Sequence, residues 1–298
     1  MYCFIVNPVA GHGKCLKLMN MLTEVLLSRN IEYEVVYSDA AGHAKTLAFQ
    51  AVGRGCDTVV VVGGDGTLKE AAAGIVEAGG KAVLGIIPGG TGNDYRRSMN
   101  IPIECIDALE IVLKGHSRSV DAALFNGELF LNIGSAGFDA SVVETTKKMK
   151  WMGAMSYYAA VFMTLMQYRS QKVRLWIDDV LQEKEFLLMA VGNGTYYGGG
   201  MKAMPEAVPD DGKMDVFTVD NIPRYKIAML FPQFPTGGHV KFPFVKFYRC
   251  EQMRIETLGE PFSVQTDGEV YSGIRTAQFS ILPGALRVLV PSGYSGNR

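Results

Sequence analysis

The sequence predicts an α/β protein with two domains, a parallel β-sheet domain followed by a mainly antiparallel β-sandwich domain. A chain of 298 residues is longer than most single cores. Up to Ser119, strand and helix patterns alternate, which is typical of a parallel sheet with right-handed crossovers. Beyond Ser119, short strand patterns separated by turn residues follow one another, which favours antiparallel pairing. We therefore expect the domains at residues 1–120 and 121–284.

The first domain follows a β-α-β-α order. An unbroken β-branched run at residues 58–62 predicts a strand that helices cover on both faces. Gly53 and Gly55 end the helical pattern that precedes it. The predicted strands are residues 2–6, 31–37, 58–62 and 82–87, and the predicted helices are residues 16–27, 44–52 and 67–78.

The second domain begins with a strong hairpin signal. Asn126-Gly127 stands between two apolar runs, and this dipeptide favours a two-residue hairpin turn. Further strands are predicted at residues 173–177, 186–191, 214–219, 253–256, 262–266 and 277–281, with one main helix at 151–168. The pattern alone does not assign the last strand, residues 286–290, to either domain.

Charge and composition exclude several classes of protein. The formal net charge is −1, whereas a general nucleic-acid binder needs a basic surplus, so we expect no nucleic-acid partner. No signal-type segment opens the chain. The longest apolar stretch, residues 154–166, falls short of the roughly 18 residues that a membrane span needs. These features predict a soluble, cytoplasmic protein.

The five cysteines are spread along the chain. Their number is odd, their spacing is wide and no CxxC pair occurs; they are Cys3, Cys15, Cys56, Cys105 and Cys250. This pattern supports neither zinc ligation nor a disulfide framework. Reduced thiols are the expectation.

Three glycine-rich loops each follow a predicted strand of the first domain, at residues 7–11, 63–67 and 88–94. The carboxyl ends of parallel strands lie at one edge of a sheet, where ligands bind. Glycine lets backbone N–H groups approach an anion, and a helix N-terminus behind the loop adds positive potential. One such loop is equally typical of an ordinary turn, but three aligned loops predict a phosphate-binding site.

The second loop carries the one carboxylate of particular interest, Asp65. Thr67 and Glu70 have capping-box spacing with Thr67 as N-cap, which explains both residues structurally. Asp65 has no packing role in that arrangement, so it is a candidate for holding Mg²⁺ or positioning a transferred phosphate. Other phosphate-binding schemes fit poorly, because Cys15 replaces the Ser or Thr of a P-loop and the first strand does not lead into GxGxxG.

These loops resemble the nucleotide-binding motifs of the diacylglycerol kinase catalytic family, most closely those of its small bacterial lipid kinases. The resemblance continues through residues 192–194, 198–200, 205–207, 210–212 and 267–269, so it spans nearly the whole chain. The GGDGT loop alone is shared with NAD kinases. The resemblance implies a nucleotide-binding α/β domain, a β-sandwich, an active site in the cleft between them, and a C-terminal strand, within residues 285–298, that returns to the first domain.

The resemblance also implies ATP as the phosphoryl donor and Mg²⁺ as a cofactor. A structural Mg²⁺ would take the Asp211 carboxylate and the backbone carbonyls of Val208 and Lys213. In the family, threonine is frequent at the position of Ser38, and serine retains the hydroxyl group. The positions that would contact ATP are Asn7, Pro8, Val9, Ala10, Gly11, Ser38, Gly63, Gly64, Asp65, Gly66, Thr67, Leu68, Lys69, Glu70, Thr91, Asn93 and Asp94.

The proton acceptor that the resemblance implies is Glu269, with Asp267 in reserve and Asp65 next. Taken locally, Asp267-Gly268-Glu269 is typical of a hairpin turn. Phosphoryl transfer needs little from a base beyond a carboxylate within hydrogen-bond reach of the acceptor hydroxyl, because the transition state is loose.

The acceptor implied by the resemblance is diacylglycerol or a related lipid, reached at the inner surface of the membrane. Residues 147–152 and 241–249 mix cations with apolar and aromatic side chains, which suits a membrane interface but equally a core helix and an edge strand. Two other functions stay open: an NAD-kinase-like phosphotransferase, and a nucleotide-binding regulator without catalysis. The oligomeric state also stays open, a homodimer included.

Overall fold

The computed structural model of the chain describes residues 1–137, 141, 142, 145, 164 and 170–294. Its first domain confirms the predicted strands and helices to within two residues at each end and adds two helices that the pattern did not predict, α4 and α5. The strands are β1 (Tyr2–Val6), β2 (Tyr33–Tyr37), β3 (Thr58–Gly63) and β4 (Val83–Pro88), and the helices are α1 (Lys14–Ser28), α2 (His43–Gly53), α3 (Asp65–Glu77), α4 (Asp94–Ser98) and α5 (Cys105–Lys114).

The four strands of the first domain form a parallel sheet in the order β4-β3-β1-β2. The chain moves from β1 to one side and then returns past it to β3 and β4. Right-handed crossovers therefore place α1 on one face and α2 and α3 on the other; α2 packs against α3, and α5 packs against α1. The direction changes between β1 and β3. Loops that leave adjacent strands toward opposite faces open a crevice there, the usual place for a ligand.

The second domain is a mainly antiparallel β-sandwich-like domain, so the predicted fold class is confirmed. Its one described α-helix is α6 (Arg224–Leu230). Its strands are β5 (Ser117–Phe125), β6 (Glu128–Phe130), β7 (Ile133–Gly137), β8 (Gln171–Ile177), β9 (Val180–Gly192), β10 (Met214–Asp220), β11 (Val245–Cys250), β12 (Gln252–Thr257), β13 (Phe262–Thr266), β14 (Glu269–Ile274) and β15 (Thr276–Leu289).

The predicted hairpin at Asn126-Gly127 joins β5 to β6. Both turn residues have positive φ, +48° for Asn126 and +88° for Gly127, as a two-residue turn that follows the strand twist requires. Asp267 and Gly268 repeat this arrangement between β13 and β14, with φ of +48° and +84°. The local hairpin interpretation of residues 267–269 is therefore confirmed as well.

The last strand differs from the prediction of two separate strands at residues 277–281 and 286–290. β15 runs without interruption from Thr276 to Leu289, and the turn-like Pro283-Gly284 pair lies within it, where its register against β5 shifts between Leu282 and Leu286. Its first part pairs with β12 in the second domain. Its last part pairs in parallel with β4 of the first domain.

The two segments considered for a membrane interface have different outcomes. Apart from residue 164, the predicted helix at residues 151–168 and the cationic run at 147–152 lie outside the described residues. Residues 241–249 include most of β11, whose described pairing is with β10 alone, so this segment forms an edge strand. Within the described ranges, no helix has the length and apolar character needed to cross a membrane.

We predict that Gly74→Ala destabilises the fold. Gly74 lies where α3 meets α2, and a Cβ there would stand 2.2 Å from the Lys45 carbonyl oxygen. The helices must move apart to admit it, which should lower the free energy of unfolding by about 1–3 kcal/mol. Gly66→Ala is the matched control, because nothing lies within 4 Å of a Cβ at that position of the same helix. Urea unfolding measures the free energy of unfolding of both variants, and equal values would contradict the prediction.

Candidate active site

The three glycine loops lie against one another at the carboxyl edge of the parallel sheet. A Cβ on Gly90 would lie 2.4 Å from the Cα of Gly64, and the N–H of Gly89 donates to the Gly63 carbonyl at 2.8 Å. Gly11, at φ +57°, approaches so closely that its Cβ would lie 2.2 Å from the Gly89 carbonyl oxygen. No other residue permits these backbone approaches, so the glycines assemble one continuous lining of backbone.

The Asn7 side chain joins the first loop to the second. Its Nδ2 donates to Thr67 Oγ1 at 2.9 Å. Its Oδ1 accepts the N–H groups of Val9 and Ala10, at 3.1 and 3.2 Å, which closes the turn after β1. Both the nitrogen and the oxygen of the Asn7 side chain thus have hydrogen-bond partners, and the side chain holds the turn against the start of α3.

The capping-box expectation for Thr67 and Glu70 is wrong. α3 begins two residues earlier, at Asp65, so Thr67 lies inside the first turn and its hydroxyl accepts from Asn7. Glu70 reaches a neighbouring helix instead, where its Oε2 accepts the N–H of Ala44 at 3.2 Å. The reason is the side-by-side packing of α2 and α3, which places a carboxylate at the positive end of α2.

Asp65 has a structural contact, contrary to the expectation that it has none. Its Oδ1 accepts the N–H of Tyr95 at 3.1 Å, in the first turn of α4. Its Oδ2 faces the third loop, 2.9 Å from where a Cβ on Gly92 would stand. Lys69 follows one helical turn later on the same face of α3. The carboxylate therefore lies between the second and third loops.

Asn93 and Asp94 brace the third loop. Asn93 exchanges two hydrogen bonds with the backbone of Gly90, at 2.9 and 2.7 Å. Asp94 is buried; its Oδ2 accepts the N–H of Gly199 at 2.8 Å and its Oδ1 binds Arg97 at 2.8 Å. Burial raises the pKa of Asp94, which these partners oppose. Sequence reasoning missed Arg97, although its i+3 spacing after Asp94 on a helix is a recognisable signal.

The remaining positions that are predicted to contact ATP differ in their exposure to solvent. Leu68 and Ser38 are buried, and the Ser38 N–H donates to the Val6 carbonyl at 2.9 Å at the end of β2. Val9 and Thr91 are exposed at the loop tips. Contact with a nucleotide stays a prediction for all of these positions.

Asp267 forms part of the second-domain wall of the cleft. Its two oxygens accept the backbone N–H groups of Leu131, Asn132 and Ile133, at 2.7, 3.0 and 3.2 Å. Burial raises the pKa of Asp267 to about 6, and the nearby Asp65 carboxylate adds to the rise while the N–H donors oppose it. The carboxylate is thereby tied to the start of β7.

Glu269 joins the second domain to the first through an ion pair with Lys69. The Lys69 side chain is 13% exposed and that of Glu269 is 55% exposed, so the pair lies at the mouth of the cleft. A groove of about 470 Å³ adjoins it. The groove is lined by these two residues together with Ala73, Val76, Leu124, Leu129 and Leu282, among others.

The acidic turn at residues 208–213 forms a second cluster. Asp211 Oδ1 accepts the N–H of Lys213 at 3.1 Å, and Oδ2 binds Arg249. Arg249 also approaches Asp215 Oδ1, at 3.4 Å. The other oxygen of Asp215 is buried without a hydrogen-bond partner among the described residues, and burial raises the pKa of Asp215 to about 6. Asp215 therefore offers an unsatisfied carboxylate oxygen, the kind of ligand that a hard divalent cation takes, whereas both Asp211 oxygens already have partners.

Asp121 anchors this turn, and sequence reasoning missed it. Its Oδ2 accepts the N–H of Gly212 and its Oδ1 that of Gly284, both at 2.7 Å. Because Gly284 lies in β15, the acidic turn is tied to the strand that links the domains. No local pattern marks Asp121, since both partners are distant in sequence.

Two family models together match most of the chain. The diacylglycerol kinase catalytic domain matches residues 1–125, and the YegS C-terminal NAD kinase beta sandwich-like domain matches residues 132–290. The chain belongs to the diacylglycerol kinase family. The resemblance carried by the glycine loops is therefore confirmed. The chain is a kinase, a phosphotransferase for which this family implies ATP as the donor.

Relatives with assigned names match over nearly their whole length. A diacylglycerol kinase of Mycobacterium tuberculosis is 33% identical over 295 residues, covering 96% of this chain and 94% of the relative. A Pseudomonas aeruginosa protein named "Probable lipid kinase YegS-like" is 34% identical over 267 residues, covering 89% and 86%. A diacylglycerol kinase crystal structure from Bacillus anthracis superposes with a TM-score of 0.80 at 27% identity, covering 98% and 97%.

We predict that the contribution of Asp267 to the free energy of unfolding decreases as pH rises. Its pKa is 3.8 ordinarily and about 6 in the fold, so between these values only the folded chain keeps the proton. The stabilisation is complete below about pH 4 and is lost as pH rises through about 6. The unfolding free energy of wild type minus that of Asp267→Asn should therefore decrease between pH 4 and 7.

Urea unfolding at several pH values measures this difference. Asp179→Asn, which removes an exposed carboxylate, is measured in parallel as the control. A difference for Asp267→Asn that does not change with pH would contradict the assignment.

Proposed function

We propose that this chain transfers the γ-phosphate of ATP to a hydroxyl of diacylglycerol or a related lipid, in the cleft between its domains. The observation that carries the proposal is the Lys69–Glu269 ion pair. Lys69 lies one helical turn beyond Asp65 on α3, whereas Glu269 begins β14 of the second domain. A carboxylate from the acceptor side thus stands beside the loops of the donor side.

On the donor side, the glycine loops and the N-terminus of α3 meet at the switch point of the parallel sheet. Backbone N–H groups and a positive helix end at this place suit the phosphates of ATP. Asp65 would hold the Mg²⁺ that accompanies them, and this ion neutralises charge on the transferred group. A second, structural Mg²⁺ would be held by Asp211 with the carbonyls of Val208 and Lys213.

On the acceptor side, the lining of the groove beside Glu269 favours a lipid alcohol as the acceptor. Its wall includes Val76, Leu124, Leu129 and Leu282, so an acyl chain can cover apolar surface while its hydroxyl reaches the carboxylate. Relatives that match nearly the whole chain are named diacylglycerol kinase or lipid kinase. The acceptor would be reached by peripheral contact with the inner membrane surface from the cytoplasm.

Glu269 is the better candidate for the proton acceptor. Asp267 already accepts three backbone N–H groups, which ties its oxygens to the fold. Glu269 is more than half exposed at 55%, and an exposed ion pair is easily exchanged for another hydrogen bond. A bound hydroxyl can therefore replace Lys69 as its partner.

The test of function is a γ-labelled ATP transfer assay with Mg²⁺ or EDTA, against diacylglycerol, phosphatidylglycerol, a sphingoid base and NAD. We expect transfer to diacylglycerol or another lipid, and loss of that transfer in Asp65→Asn. The melting temperature should be retained, because asparagine keeps an oxygen for the Tyr95 N–H. Transfer to NAD alone, or to no acceptor, would refute the proposal.

The assignment of the base is tested by Glu269→Gln. The glutamine keeps the shape of the side chain but cannot take the proton, so kcat should fall by roughly 10²- to 10⁴-fold, the lower end being expected for a loose transition state. The Kd of ATP should barely change, because the first domain binds it. Asp267→Asn is the comparison variant. A larger kcat loss in Asp267→Asn would move the role to Asp267, and no tenfold loss in either would place the base elsewhere.

A further inference from the structure

Cys3, Glu34 and Cys56 meet at the amino edge of the parallel sheet. Cys3 and Glu34 are register partners on the adjacent strands β1 and β2, so their side chains leave the sheet on the same face. Cys56 lies just before β3, which pairs with the other side of β1. One ligand atom from each residue, two Sγ atoms and a carboxylate oxygen, lies within 4.8 Å of the other two.

This cluster is separate from the candidate active site. Asn7 lies four positions after Cys3, just beyond the end of β1, and a strand rises about 3.3 Å per residue, so the two lie about 13 Å apart near opposite ends of the strand. Cys3 is buried completely and Cys56 is 3% exposed. The Glu34 side chain is 31% exposed, which leaves an approach from solvent along its carboxylate.

We propose that Cys3, Cys56 and Glu34 form a binding site for a thiophilic divalent metal ion, with Zn²⁺ the best match. Zinc accepts thiolate and carboxylate ligands in tetrahedral geometry, with water in an open fourth position. Zn–S bonds of about 2.3 Å place two sulfurs about 3.8 Å apart. The two sulfurs lie within 4.8 Å of each other, so they need to approach by no more than about 1 Å to bind the ion.

The charges around the cluster balance when a divalent ion is bound. Two thiolates and one carboxylate carry −3, while the ion and the Arg54 guanidinium, which bonds Glu34 Oε1 at 2.5 Å, carry +3. Without the ion, burial raises the pKa of both thiols, and Cys56 Sγ donates to Glu34 Oε1 at 3.5 Å. Binding forms two Zn–S bonds and releases two protons, one from each thiol, so affinity increases with pH.

A bound ion would join β1, the edge strand β2 and the segment leading into β3. These segments are otherwise linked at this end by backbone pairing and by the Arg54–Glu34 and Met1–Asp57 ion pairs. The ion would therefore stabilise the first domain without contacting the glycine loops.

The test uses the full-length, reduced, metal-free protein with Zn²⁺ and with Co²⁺ as a spectroscopic probe. We expect one ion per chain, two protons released per ion, a thiolate-to-cobalt absorption band in the near ultraviolet, and a melting temperature raised by Zn²⁺. Cys56→Ser should weaken Zn²⁺ binding more than about 100-fold and remove the cobalt band, because direct ligands matter more than the outer shell. Glu34→Gln should weaken binding while keeping the band.

Cys105→Ser is the matched control, since Cys105 is also buried but lies on α5, and it should bind Zn²⁺ as wild type does. Both cysteines belong to the core, but Cys3 lies within β1, between β2 and β3, whereas Cys56 lies outside the strands, so Cys56→Ser carries the test. The proposal is overturned if the band is absent, if Cys56→Ser binds as wild type does, or if a Cys3–Cys56 disulfide forms in the isolated protein.

Discussion

Strand β15 constrains the position of every group in the cleft. It pairs with β12 and β5 of the second domain and then with β4 of the first, so one strand belongs to both halves of the molecule. The glycine loops follow β1, β3 and β4, and the carboxylates of the cleft wall follow β13. Their separation is set by hydrogen-bond register through a continuous sheet, which is stiffer than a flexible linker between independent domains.

The parts of this structure that local chemistry determines could be predicted from sequence. Asn126-Gly127 predicts its hairpin because few residues tolerate positive φ at both turn positions. The glycine loops are recognisable because close backbone approach excludes a side chain, and the order of strand and helix patterns predicts the parallel sheet. The helical pattern of α3 was recognised as well, although its first turn was placed two residues late.

The errors concern residues whose partners are distant in sequence. Thr67 and Glu70 matched a capping box, but tertiary packing gave them Asn7 and the N-terminus of α2 as partners. Pro283-Gly284 has the composition of a turn and forms an irregularity within β15. Cys3 and Cys56 are no such error, but no spacing rule could group them, because strand pairing places Cys3 beside Glu34 and the segment before β3 brings Cys56 there.

One of the contacts across the cleft is weak. Lys69 and Glu269 join the domains at the mouth of the cleft, and one of the two side chains is largely exposed. An ion pair of this kind contributes about 1 kcal/mol or less, because water screens it. Glu269 can therefore exchange Lys69 for another partner at little cost in free energy, while Asp94 and Gly199 hold the domains together elsewhere in the cleft. A ligand that reaches the rim thus competes with one exposed ion pair and not with the sheet that links the domains.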